Sequence, residues 1–169
     1  MKILFAIQGT GNGHISRARE IIPYLKNYGE LDILLSGNQA DVDLNHPVKY
    51  HYRGLSFVFG KSGGVDFWLT FKNLRTAEFL KEVLSFPIQQ YDLILNDFEP
   101  ITAWAGYFKE KEVISLSHQW SFSSYKVPRP SEPEKFGEFV LKNYAPCNKG
   151  IGFHFQQYDD FIHTPVIRS

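Results

Sequence analysis

The stretch Lys2-Ile-Leu-Phe-Ala-Ile-Gln-Gly-Thr-Gly-Asn-Gly-His14 decides the fold. Its run from Lys2 to Ile7 is apolar without alternating, which predicts a strand buried on both faces. Gly9, Gly11 and Gly13 then allow a tight turn. From about His14 to Tyr28, Ile15, Ala18, Ile21, Ile22 and Leu25 recur at helical spacing, and Gly29 is placed to end the helix. A strand, a glycine turn and a helix in that order expose backbone N–H groups at the helix start, an arrangement suited to phosphate. A tight β-to-α turn with no ligand explains the same three glycines, and both readings stand at this point.

The rest of the chain repeats the pattern. Leu31 to Leu35, Val48 to Arg53, Asp92 to Leu95, Glu112 to Leu116 and Gly150 to Phe155 read as strands. Leu55 to Phe59 extends the third strand or forms another. Phe67 to Phe86 reads as a long amphipathic helix stopped by Pro87, a further helix opens near Pro100, and Glu132 to Tyr144 is helical in pattern. Apolar strands separated by helices predict a Rossmann-like, doubly wound α/β domain with a parallel sheet. The 169 residues fit one such domain. The segment Ile162 to Ser169 reads as a strand or linker leading to a second domain.

Composition excludes several classes. Eighteen basic residues balance eighteen acidic ones, so no global field draws the chain to nucleic acid. Cys147 is the only cysteine, so neither a disulfide nor a cysteine zinc site forms within one chain, and a passive thiol is expected. The opening apolar run is too short for a signal-peptide core, and no run is long enough to span a bilayer, so the expected compartment is the cytoplasm. Phe57, Phe59, Phe67 and Trp68 read as core. Their alternative is an apolar surface for a lipid-like acceptor or a peripheral contact with the inner face of the membrane.

Two common nucleotide motifs fail. In the dinucleotide fingerprint the third glycine would stand at position 14, which is His14, and the second strand ends in Leu35-Ser-Gly-Asn38 with no acidic residue. Gly60-Lys-Ser62 matches the end of a phosphate loop, but the required earlier glycine is Leu55.

Ligands of open α/β sheets bind beyond the carboxyl ends of the strands, where strand order reverses. With the order 3-2-1-4-5, His14 after the first strand and Asp97 after the fourth meet at that reversal. A carboxylate that orients an imidazole makes a general base. The structural alternatives are a helix cap or phosphate contact for His14 and a cap of the Pro100 helix for Asp97, with Glu99 able to take either role of Asp97. Arg17, one turn beyond His14, reaches a phosphate or lies on a solvated helix face. His118 and Gln119 follow the fifth strand to the same edge, where His118 lines the cleft or is a satisfied core histidine. Gly9, Thr10, Gly11, Asn12 and Gly13 supply the candidate phosphate loop.

Ile7-Gln-Gly-Thr-Gly-Asn-Gly-His-Ile-Ser-Arg-Ala18 resembles the N-terminal glycine-loop motif of the GT-B glycosyltransferases, in their MurG-like branch. Asn96-Asp-Phe-Glu-Pro100 and Ile114-Ser-Leu-Ser-His-Gln119 fall where that family carries its fourth- and fifth-strand cleft motifs. The likeness thus runs from Met1 to about Gln119, and His163 to Arg168 is similar to the approach to an interdomain linker.

The resemblance implies two Rossmann-like domains, no metal or cofactor, and inverting transfer from a nucleotide-sugar donor, expected as a UDP-sugar. It implies that the N-terminal domain holds the acceptor, whether a glycan, a lipid-linked sugar or a small molecule. A C-terminal domain outside this chain would hold most of the donor, and the domain alone is expected to be inactive. His14 falls on the family's loop histidine and Asp97 on the carboxylate that pairs with it in plant-type relatives, while MurG-like members use the histidine on phosphate. Asn12 stands where many relatives carry glycine. The alternatives are a non-enzymatic module for a phosphorylated small molecule and a GT-B-fold sugar-nucleotide epimerase.

Overall fold

The computed structural model describes residues 1–37, 40–55, 76–131 and 135–167. Its elements run β1 (Lys2–Gln8), α1 (Asn12–Leu25), β2 (Glu30–Ser36), β3 (Tyr50–Tyr52), α2 (Thr76–Ser85), β4 (Leu93–Asp97), α3 (Pro100–Phe108), β5 (Ile114–Ser117), α4 (Lys135–Asn143), β6 (Lys149–Phe153) and β7 (Ile162–His163). The strands form one seven-stranded sheet in the order β3-β2-β1-β4-β5-β6-β7. Every pairing is parallel. This is a Rossmann-like α/β fold, with the reversal of strand order between β1 and β4.

Alternate residues of β1 serve opposite faces, as strand geometry requires. Leu4 and Ala6 join Val83, Phe86, Ile101 and Ala105 under α2 and α3. Phe5 and Ile7 join Ile15, Ala18 and Ile22 under α1. β1 is therefore buried on both sides, and its apolar run has no polar phase. At the margin of the first cluster, which holds Tyr91, Asp32 accepts from Lys49 at 2.5 Å and from the Tyr91 hydroxyl at 2.8 Å. Burial pushes this carboxyl up, but the Lys49 and Tyr91 bonds more than offset that and hold it below the ordinary aspartate value.

Several boundaries differ from the sequence expectation. The first helix starts at Asn12, with Gly11 as its N-cap, and ends at Leu25 with Lys26 as its C-cap, so Gly29 is not its terminator. Gly29 has another reason: a Cβ there would lie 2.1 Å from the Met1 carbonyl oxygen, which accepts from Glu30 N at 3.0 Å to start the β1–β2 pair. Gly29→Ala is expected to cost about 1–3 kcal/mol through this backbone clash. An unchanged urea midpoint would show that the strand start yields freely. The third strand shortens to Tyr50–Tyr52, and the helix expected from Phe67 is described only as Thr76–Ser85. Positions 56–75, and with them Phe57, Phe59, Gly60 to Ser62, Phe67 and Trp68, lie outside the described residues. No described helix is long and apolar enough to cross a membrane.

Candidate active site at the carboxyl edge of the sheet

In the β1–β4 register Ile7 stands opposite Asp97, which puts the start of α1 beside the end of β4. His14 and Arg17, one turn apart on α1, both turn toward that strand end. His14 Nδ1 lies 2.9 Å from Asp97 Oδ1. Arg17 donates from Nε and Nη2 to Oδ2 at 3.1 and 2.7 Å and from Nη2 to Oδ1 at 2.6 Å. The Asp97 side chain is fully buried, while His14 and Arg17 keep 15% and 12% of theirs exposed. The pair is thus reachable from the cleft through the imidazole and not through the carboxylate.

The geometry assigns the ring proton. Asp97 is already the acceptor for Arg17, so the hydrogen on the shared line belongs to His14 Nδ1. Arg17 Nη2, 3.2 Å from the same nitrogen, is then a donor beside a donor, and its bond is to the carboxylate. In the neutral ring the lone pair then falls on Nε2, which has no hydrogen-bond partner among the described residues. Arg17, expected at a phosphate or on a solvated face, instead neutralises Asp97, and its guanidinium sits 5.4 Å from the Phe153 ring centroid. The carboxylate thereby fixes the orientation of the imidazole.

The turn after Asp97 is built to hold this carboxylate. Phe98 adopts φ 56, a left-handed conformation that costs a bulky residue energy. Asn96 compensates: its Oδ1 accepts from Glu99 N at 2.9 Å, and its Nδ2 donates to Glu99 O and Thr102 Oγ1 at 2.7 and 2.8 Å. The reversal at Phe98 separates two acidic residues that sequence alone left interchangeable. Asp97 faces α1, whereas Glu99 caps α3, accepting from Ile101 N, Thr102 N and Thr102 Oγ1 at 2.7–2.8 Å. Glu99 is fully buried, so it caps the helix and does not line the cleft.

Burial pushes the Glu99 carboxyl up, and the bonds from Thr102 and Ile101 only partly counter it. A raised carboxyl pKa means that the folded state holds the proton more tightly than the unfolded chain. The stability this group contributes is present below the ordinary glutamate range and declines as pH rises through the folded value. Wild type should therefore lose stability relative to Glu99→Gln as pH is raised from 4 to 8 in paired urea titrations. A pH-independent gap would remove Glu99 as its source.

The glycine loop divides into committed and free parts. Gly9 N donates to Ser36 O at 2.6 Å and Gly9 O accepts from Ala40 N at 3.0 Å, so this residue joins β1 to β2 and offers no amide to a ligand. A Cβ on Gly9 would lie 2.8 Å from Gly37 O. Thr10 Oγ1 accepts from Gln8 Nε2 at 3.0 Å. Asn12 sits in the helix, where its Oδ1 holds Asp41 N at 2.9 Å and Val42 N at 3.4 Å, which explains a polar side chain at that position. Gly11 and Gly13 have open space around their Cα atoms, and the Gly11 N-cap gives no side-chain bond to the helix start. The first-turn amides from Asn12 to His14 have no intrahelical acceptors and, among the described residues, form the part of the loop free for an anion.

His118 is exposed beyond β5 and its Nδ1 lies 2.6 Å from Phe153 O. The carbonyl can only accept, so Nδ1 donates, and Nε2 has no hydrogen-bond partner among the described residues. The His118 ring also stacks on His154, at 5.9 Å between centroids. Gln119 begins a 3₁₀ turn, Gln119–Ser123, at the same edge. Two residues absent from the sequence reading belong here. Gln8, buried at the end of β1, donates to Tyr144 Oη at 2.8 Å and accepts from Ser36 Oγ at 3.1 Å. Tyr144 packs its ring 4.9 Å from Phe98 and donates to Leu55 O. Cys147 packs against the core, and burial, with a smaller effect from Glu99, pushes its thiol up to about 12. That value fits a passive role. Among the described residues no group of three or more His, Cys, Asp or Glu is placed to hold a metal ion.

No curated protein matches the sequence. Among solved structures, the chain is similar to MurG of Acinetobacter baumannii, with a TM-score of 0.41 and 12% identity over 79% of this chain and 43% of that one. The chain therefore spans less than half the length of that protein. Residues 1–148 match the family described as glycosyl transferase family 1, and the chain belongs to that family.

Proposed function

We propose that this domain is the acceptor-side, N-terminal half of an inverting, metal-independent GT-B glycosyltransferase using a nucleotide sugar, with a second domain holding most of the donor. The observation that carries the reading is the 2.9 Å contact between His14 Nδ1 and Asp97, which leaves Nε2 without a partner among the described residues, in the first turn of α1 whose N-cap gives no side-chain bond. In this mechanism Nε2 takes the proton of an acceptor hydroxyl as its oxygen attacks the anomeric carbon. The bond to the nucleotide diphosphate breaks with both electrons on the leaving oxygen, and the anomeric centre inverts. Asp97 holds the ring and stabilises the imidazolium, Arg17 fixes Asp97, and amides from Asn12 to His14 face phosphate or sugar oxygens.

The test is sugar transfer by the two-domain protein in the presence of EDTA, with the anomeric configuration of the product read by NMR. Transfer with inversion is expected. Retention of configuration, or an absolute requirement for a divalent cation, would overturn the mechanism. Isomerised donor without an acceptor product would instead identify a sugar-nucleotide epimerase. A third outcome addresses the binding-module alternative. Calorimetry should show only weak nucleotide-sugar binding by the 169-residue chain, and tight binding would contradict an acceptor-side assignment.

A further inference from the structure

Tyr144 directly follows α4 and is buried, although α4 itself buries none of its residues. Its hydroxyl belongs to a chain of hydrogen bonds with a single direction. Ser36 Oγ donates to Gln8 Oε1 at 3.1 Å, Gln8 Nε2 donates to Tyr144 Oη at 2.8 Å, and Tyr144 Oη donates to Leu55 O. Gln8 and Tyr144 are each acceptor and donor in turn, so the bonds polarise and strengthen one another. Burial, with a smaller effect from Glu99, pushes the Tyr144 hydroxyl above the ordinary phenol range, and the Gln8 bond counters this only in part. The proton therefore stays on the oxygen and keeps it a donor to Leu55.

The two ends of this side chain reach the two strands that carry the candidate base. Gln8 is the last residue of β1, one past Ile7, and Ile7 stands in register with Asp97. Phe98 is one past Asp97, and its ring centroid lies 4.9 Å from that of Tyr144. Tyr144 thus meets the neighbour of Ile7 through its hydroxyl and the neighbour of Asp97 through its ring. A bulky residue keeps a left-handed conformation only where its surroundings over-determine it. At Phe98, Asn96 holds the backbone of the turn and Tyr144 packs on the side chain at its apex.

We propose that Tyr144 is a positioning residue for the His14–Asp97 pair, clamping the end of β1 to the turn after β4 so that the carboxylate meets His14 Nδ1 in one geometry. It acts through Gln8 and Phe98 and touches no reacting atom. The inference rests on the reading of His14 as base and adds a control of that base from the far side of the sheet edge. Through it α4, which gives nothing to the core, is coupled to the site.

The experiment reads the His14 ring directly. Long-range ¹H–¹⁵N correlation spectra of the labelled 169-residue chain at alkaline pH give the shifts of both ring nitrogens. Wild type should show a protonated Nδ1 and an unprotonated Nε2, the tautomer that the Asp97 contact requires. Tyr144→Phe keeps the ring and loses the hydroxyl, and the two shifts should move toward each other as the tautomers mix. Tyr144→Leu loses both contacts and should move them further. Tyr91→Phe is the control. It removes another hydroxyl, bound to Asp32 and Tyr50 beyond the amino end of β4, and should lower stability while keeping the wild-type pattern. In the two-domain protein, Tyr144→Leu should lower turnover by roughly 10–100-fold through misplacement of the base and leave the donor KM unchanged.

A wild-type tautomer in Tyr144→Phe, or equal mixing in Tyr91→Phe, would overturn the clamp. So would a loss in Tyr144→Leu that falls on donor KM with turnover intact. If Tyr144→Leu does not fold, Tyr144→Phe alone decides. Mixed tautomers in the Tyr144 variants of a protein that transfers sugar without His14 would leave the clamp standing and remove the base reading. A His14-dependent transferase with an unmoved tautomer in Tyr144→Phe would remove the clamp alone.

Discussion

His14→Ala is expected to lower the turnover of sugar transfer by about 10²–10⁴-fold in the two-domain protein while leaving donor affinity largely unchanged. The factor is the usual contribution of a positioned general base. It is applied to His14 because the Asp97 bond consumes Nδ1 and presents Nε2. The loss should fall on turnover and not on KM, because the proton moves only as the transition state forms. His14→Gln is the informative companion. It keeps a polar side chain for a phosphate contact but cannot accept a proton at neutral pH. If His14→Gln retains turnover near wild type, the histidine is a phosphate ligand and the base lies elsewhere.

Asp97→Asn is expected to damage both activity and stability. The fully buried carboxylate accepts from His14 and from two nitrogens of Arg17. An amide would face these donors with an NH₂ group of its own and would leave a guanidinium that is only 12% exposed without its counter-charge. Breaking a buried pair in this way costs about 3–5 kcal/mol, and loss of the ring's orientation should reduce turnover by at least about 10²-fold. The double variant Arg17→Met/Asp97→Leu separates the two effects. It removes both charges together, so much of the stability should return in urea denaturation, while transfer stays low. Recovered transfer in that protein would show that the carboxylate serves only to keep Arg17 neutralised.

The legible part of the fold is the part set by local pattern. The unbroken apolar phase of Lys2 to Ile7 requires cover on both faces, and the order around β1 follows from it. The meeting of His14 and Asp97 follows from that order, since each lies just past a strand end at the reversal. Less legible were features set by tertiary hydrogen bonds. Nothing near Gln8 in sequence indicates Tyr144, which is 136 residues away. The division of labour between Asp97 and Glu99 depends on the left-handed conformation of Phe98 between them. One signal was available, because Pro100 occupies the first turn of α3 and a proline there marks Glu99 as the cap. Arg17 was misread because a helix face near a glycine loop looks solvated until a buried carboxylate is placed opposite it.

The parallel pairing of β1 with both β2 and β4 also sets when the site can exist. His14 and Asp97 are 83 residues apart in sequence, and neither side of their contact is local. Contacts that close such long loops form late and slowly. At ~5–20 residues per second of synthesis, β1 waits on the order of 5–20 s for β4 to leave the ribosome. During that interval Arg17 has no carboxylate and the imidazole has no fixed tautomer. Chemical competence is thus withheld from the nascent chain until the middle of its sheet has closed.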